Sequence, residues 1–195
     1  LGNSGATGEW AAKYAGVLGN SLKVSMVDSA SWSSWTYKNN FDAAPATSDF
    51  CKALGATTAH DELHIVVVDE DGLFTGTPGT VLERFAFLSK AENAKKSDGT
   101  RSYYAEVISK NSKYIWWMDH TASVESGAHD AWGSKATATS NFKITTGIVT
   151  KSLAGGVDDD APDSNAFITA WGVFENSETV DVNLLITGPA STEVC

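Results

Sequence analysis

A chain of 195 residues with 42% hydrophobic residues, aromatics at 10% included, can bury one sizeable core, which argues against disorder of the whole and fits a single domain or a domain with an appendage. Its 14 basic against 24 acidic residues give a net charge of −10, which repels nucleic-acid phosphates and anionic lipid surfaces. No window reaches the ~18 consecutive apolar residues of a membrane-spanning helix, and the apolar run 65–68, with Leu63 just ahead, is strand-sized.

In chain order, Trp10 and Tyr14 stand four apart and predict a short helix over 9–15, broken at Gly16 and at Gly19-Asn20. Leu22, Val24 and Met26 alternate with Lys23 and Ser25, the period of a half-buried strand. Positions 28–55 are rich in Ser, Ala, Asn and Asp, with Trp32, Trp35, Tyr37, Phe41 and Phe50 at no clear period, so a long irregular connection anchored by aromatics is expected. The β-branched run over 63–68 suits a central strand covered on both faces. Asp69-Glu70-Asp71-Gly72 and Gly76-Thr77-Pro78-Gly79 are turn chemistry, because glycine supplies positive φ and proline presets its own. The chain then returns over 81–88, read as a strand although Leu82, Phe85 and Leu88 also suit a helix.

Further on, Asp98-Gly99 marks a turn, and Tyr104, Val107 and Ile108 predict a helix over 102–110. An aromatic strand is expected over 114–118 and an exposed loop or edge over 121–140. After Gly155-Gly156 and the acidic triplet starting at Asp158, Asp163 or Ser164 caps a helix with Phe167, Ala170, Trp171 and Phe174 on one face. Val180, Val182, Leu184 and Ile186 alternate as a last strand. The expected fold class is α+β, with a mixed or mostly antiparallel sheet, long irregular loops, and the Phe167 helix covering one sheet face.

Chemistry-bearing motifs are sparse. His60-Asp61-Glu62-Leu63-His64 lacks the glutamate directly after the first histidine that a zinc-protease helix needs, and reads as a solvated strand entry. His120 and His129 are isolated and expected at the surface. The acidic turns lack the alternating oxygen ligands and closing glutamate of a calcium loop. No glycine-rich phosphate cradle or Gly-x-Ser-x-Gly elbow is present. Cys51 and Cys195 could bridge in principle, but a reduced intracellular setting is the simpler reading. Exposed, coplanar indoles at Trp32, Trp35 or Trp132 would make a sugar-binding platform, whereas Trp116, Trp117 and Trp171 read as core. No catalytic, cofactor-binding or metal-ligating residue is assigned. The positions singled out are turn formers: Gly16, Gly19, Asn20, Gly72, Gly76, Pro78, Gly79, Gly155, Gly156 and Asp158.

Four stretches carry a resemblance when taken in order. They are Lys13-Tyr14-Ala15-Gly16 with Leu18-Gly19-Asn20-Ser21-Leu22; the block from His64 through Asp69-Glu70-Asp71-Gly72 and Phe74-Thr75-Gly76-Thr77-Pro78-Gly79 to Lys90; Tyr103-Tyr104 to Asn111-Ser112 with Tyr114-Ile115; and Leu153-Ala154-Gly155-Gly156-Val157-Asp158 with the helix and strand behind it. Together they resemble the tail sheath proteins of large contractile-tailed bacteriophages. The fourth departs in having Asp159 where a glycine often follows the aspartate. The resemblance implies an internal segment of a longer, non-enzymatic virion protein without cofactors, assembled in the host cytoplasm. It implies copies packed as stacked hexameric rings around a tail tube, contracting during DNA delivery, with tube and baseplate met by other parts of the chain. A surface carbohydrate-binding module is the alternative, and a hydrolase ranks third.

Overall fold

The alternating and β-branched runs become one antiparallel sheet in the computed structural model, which describes residues 8–158, 163–175 and 181. The chain divides into two compact units, Leu1–Val157 and Asp158–Cys195. In chain order the first contains β1 (Trp10–Ala12), α1 (Val17–Asn20), β2 (Leu22–Asp28), α2 (Asp49–Leu54), β3 (Glu62–Asp69), β4 (Thr80–Ser89), α3 (Tyr104–Asn111), β5 (Ile115–Trp117) and β6 (Val149–Ser152). The main sheet has the order β4-β3-β2-β6, and β1 and β5 form a separate two-stranded ribbon. Every strand pairing in both is antiparallel, so the fold class is α+β.

β3 is central and buried on both faces, as its β-branched run predicts. Leu63, Ile65 and Val67 join Leu22, Val24, Met26 and Leu88 in the larger core, closed by Tyr104, Ala105 and Ile108 of α3 and by Trp10 and Ile115 of the ribbon. On the opposite face Val66 and Val68 meet Val27 and Trp35, with Trp32, Tyr37 and Phe41 packed against them. A strap over 29–46 therefore covers that face, and the scattered aromatics of the irregular connection are its anchors. Full burial of each such aliphatic side chain contributes about 1.5–3 kcal/mol, so β3 and its neighbour β2 are large sources of cohesion. A third cluster of small residues, including Cys51, Ala59, Ala91 and Ala136, surrounds Phe142.

Two readings change. Residues 10–12 form a strand rather than the start of a helix, because Trp10, Ala11 and Ala12 pair with Trp117, Trp116 and Ile115. β6 has no forerunner in the sequence reading. The larger core of the first unit is covered by α3 and the ribbon. The Phe167 helix, α4 (Ser164–Trp171), does form in the second unit, with Asp163 as its N-cap accepting from the Ala166 amide at 2.8 Å. None of its eight residues is buried. The strand expected from Val180 lies outside the described residues. Among the described residues no helix is long and apolar enough to cross a membrane.

Candidate functional site

Residues from each of the four stretches singled out in the sequence meet at one corner of the first unit, the fourth through Gly156. Gly16, at φ +75°, precedes α1, and Gly19 within it is buried. A Cβ on Gly19 would strike the Tyr14 carbonyl and the Ala12 methyl, so only glycine lets the turn approach β1 this closely. Asn20 then reaches across 136 residues to Gly156. Its Nδ2 donates to the Gly156 carbonyl and its Oδ1 accepts from the Gly156 amide, both at 2.8 Å. The side-chain amide thus copies one rung of a β-ladder.

Ser21, next in line, ties the same corner to the acidic turn. Its Oγ donates to Asp69 Oδ1 at 2.7 Å and accepts from the Asp71 amide at 3.1 Å. Asp69 Oδ2 accepts from the amides of Phe74 and Thr75 and from the Thr75 hydroxyl, at 3.1, 2.8 and 2.8 Å. The Asp69 carbonyl also accepts from the Gly79 amide at 2.7 Å. Burial pushes this carboxyl upward, but the bonds from Ser21, Thr75 and Phe74 outweigh it and hold the group below the ordinary aspartate range. Gly72 at φ +81° packs against Pro78, while Gly76 and Gly79, at φ +80° and +81°, face open space.

The third stretch joins through Lys13, whose amide donates to the Tyr114 carbonyl at 2.8 Å and whose Nζ donates to the Ser112 carbonyl. The rings of Tyr14, Phe74 and Tyr114 pack together with centroids 5.0–5.9 Å apart. Of the ten turn positions, Gly155 (φ +87°) flanks this corner exposed to solvent, and Asp158 opens the second unit.

Beside the corner lies a cleft of about 620 Å³ lined in part by Glu9, Asn20, His120 and Lys151. His120 is half-buried rather than exposed. Its Nδ1 and the Tyr104 hydroxyl share a hydrogen bond at 2.6 Å, and that oxygen accepts from Trp117 Nε1 at 3.3 Å. Burial lowers the His120 pKa against the pull of Asp119, and burial raises that of Tyr104, so the pair stays neutral and serves as a structural hydrogen bond. His129 is also half-buried, with its Nδ1 enclosed.

The histidine pair on the entry to β3 separates. His60 is exposed, whereas His64 is fully buried, a correction to the solvated reading. The cause is register: a central strand covered on both faces has no wet side for position 64. Asp61 is buried as well, accepting from the Ser48 amide and the Ser89 hydroxyl. Nearby, Lys90 and Asp28 form an ion pair at 2.8 Å with both side chains wholly buried. Lys90 Nζ also donates to the carbonyls of His60 and Lys143, and Asp28 accepts from Thr145 and the Ala30 amide. Burial lowers the Lys90 pKa, opposed by Asp28 and Asp61. Every charge there is answered, which makes this a structural lock that sequence reasoning missed. Among the described residues, no group of three or more His, Cys, Asp and Glu is placed to hold a metal ion.

The indoles sort differently from the sequence reading. Trp35 and Trp132 are buried and donate inward, to Ser25 Oγ at 2.8 Å and to the Lys143 carbonyl at 2.7 Å. Trp32 is tilted 47° from Trp35, so no coplanar platform exists. Trp116, read as core, is 47% exposed, with Lys13 Nζ 3.8 Å above its ring.

No known protein family matches the chain. Over 72 residues, 37% of its length, the chain is 36% identical to the tail sheath protein of Salmonella phage ViI, of which the matched stretch makes up 9%. The chain thus spans a small part of that relative, and over that stretch it is related to a phage tail sheath protein.

Proposed function

We infer that this chain is a segment of a structural, non-catalytic subunit of a contractile phage tail sheath, carried in the virion and working by packing against other copies of itself. In this reading the copies stack as hexameric rings around the tail tube and rearrange to a contracted array during DNA delivery, while other parts of the longer protein meet tube and baseplate. The observation that carries it is the 36% identity to a tail sheath protein over 72 residues. The use of polar groups supports it. Asp28, Lys90, Asp61, Asp69 and His64 are spent on internal hydrogen bonds, which makes a rigid body suited to sliding between two sets of interfaces. The carbohydrate-binding alternative loses its platform with Trp35 and Trp132 inside the core.

Negative-stain electron microscopy of the purified full-length protein tests this. Tubes of stacked rings are expected. A protein that stays monomeric across concentration and salt, or a reproducible turnover traced to side chains of this segment, would refute it.

A further inference from the structure

We propose that His64 is a pH-sensitive latch that holds the aromatic strap, residues 29–46, against the sheet and releases it when the ring takes up a second proton. The ring lies on the strap-facing side of β3, fully buried. Its Nδ1 accepts from the Phe87 amide at 3.0 Å, so its proton sits on Nε2, which donates to the Ala43 carbonyl at 2.9 Å. Both nitrogens are engaged, and a proton on Nδ1 would point at the N–H of Phe87. Phe87 is committed to this arrangement: it stands at φ +51°, where the β3–β4 register shifts between Leu63 and Ile65, with its amide turned to the imidazole. Phe41 of the strap stacks parallel on the ring at 4.4 Å, and Trp32 meets it edge-on at 5.4 Å.

The imidazole bonds to the Phe87 amide and the Ala43 carbonyl, and the other charged and titratable groups on this face bond to partners other than the ring or face solvent. Lys23 of β2 pairs with Glu70, Glu62 of β3 accepts from the Ala46 amide, and Arg84 of β4 donates to the Asn40 carbonyl. On the strap, Lys38 donates to the Ser33 carbonyl, Tyr37 packs edge-on against Trp35, and Asp42 is exposed. Burial, the largest influence, lowers the His64 pKa, against the carbonyls of Ala43 and Leu63. The shut latch therefore contributes its stability fully above the unfolded value of about 6.5 and loses it as pH falls through the folded one.

Hydrogen–deuterium exchange of the full chain, corrected for intrinsic exchange between about pH 7.5 and 5, tests the latch. Peptides spanning 36–47 and 84–89 are expected to lose protection about tenfold per pH unit once the ring titrates, while 65–68 holds. His64→Gln is expected to remove that dependence. Protection unchanged with pH, or an unaltered dependence in His64→Gln, would overturn the proposal. Should the variant not fold, the wild-type imidazole followed by NMR decides: a midpoint below about 6.5 that coincides with strap release is expected, and one at or above that value sinks it.

Discussion

Replacing Gly156 by alanine tests the corner where the four stretches meet. A Cβ there would lie 2.7 Å from the Gly16 carbonyl carbon and 2.9 Å from Asn20 Oδ1, so backbone must move. The displacement breaks both 2.8 Å bonds between Asn20 and Gly156. Two hydrogen bonds at about 0.5–1.5 kcal/mol each, with about 1–3 kcal/mol of overpacking, oppose a gain of about 0.4–1 kcal/mol from a stiffer unfolded chain. The net expectation is a loss of about 2–4 kcal/mol. With a urea slope of about 2 kcal/mol per molar, the unfolding midpoint should fall by about 1–2 M. Gly147 is the internal control, since nothing lies within 4 Å of its would-be Cβ, and Gly147→Ala should be neutral or slightly stabilising. Equal midpoints for the two variants would refute the view that the glycine is required by close approach.

Other outcomes follow from the buried groups. Lys90→Met strands Asp28 as an uncompensated buried charge and should cost about 3–5 kcal/mol in urea melts, with Asp28→Asn recovering part of it in a double-mutant cycle. Asp69 has a depressed folded pKa, so its stabilisation is full above the unfolded value of about 3.9 and is lost as pH falls below it. The stability gap between wild type and Asp69→Asn, followed by melts from neutral to acid pH, should therefore close in acid. Cys51 is buried, and burial, then the charge of Asp61, pushes its thiol up to about 12. Peptide mass spectrometry after alkylation near pH 8 should find it unmodified in the native protein and modified in concentrated urea.

The sequence is legible where the signal is local. Alternation at 22–26, the β-branched run at 63–68 and the helical spacing of Tyr104, Val107 and Ile108 each name an element the structure contains. β1 is not legible, since its three residues are strand only through a partner about a hundred residues away, and Trp10 with Tyr14 mimics a helix face. β6 escapes because an edge strand with one buried residue carries almost no pattern. The Asp28–Lys90 lock is invisible for a related reason, as nothing near either residue announces a mate 62 positions on. His64 was within reach: a strand covered on both faces leaves no residue of its run in water. The turn glycines were read from residue type, but their convergence is a tertiary fact. Only the structure reveals that Asn20 and Ser21 tie three of the stretches together and Lys13 the fourth.

Asn20 and Gly156 also decide how the first unit bears tension. Lys23 of β2 pairs with Ser152 of β6, so the chain enters one strand and leaves the other at the same end of the pair. A pull on those two ends would peel the rungs open one after another, the weakest way to load a ladder. The Asn20–Gly156 bridge sits just ahead of the first rung and takes the strain before peeling can start. Two hydrogen bonds at the mouth of a strand pair thus act as a stop on the zip.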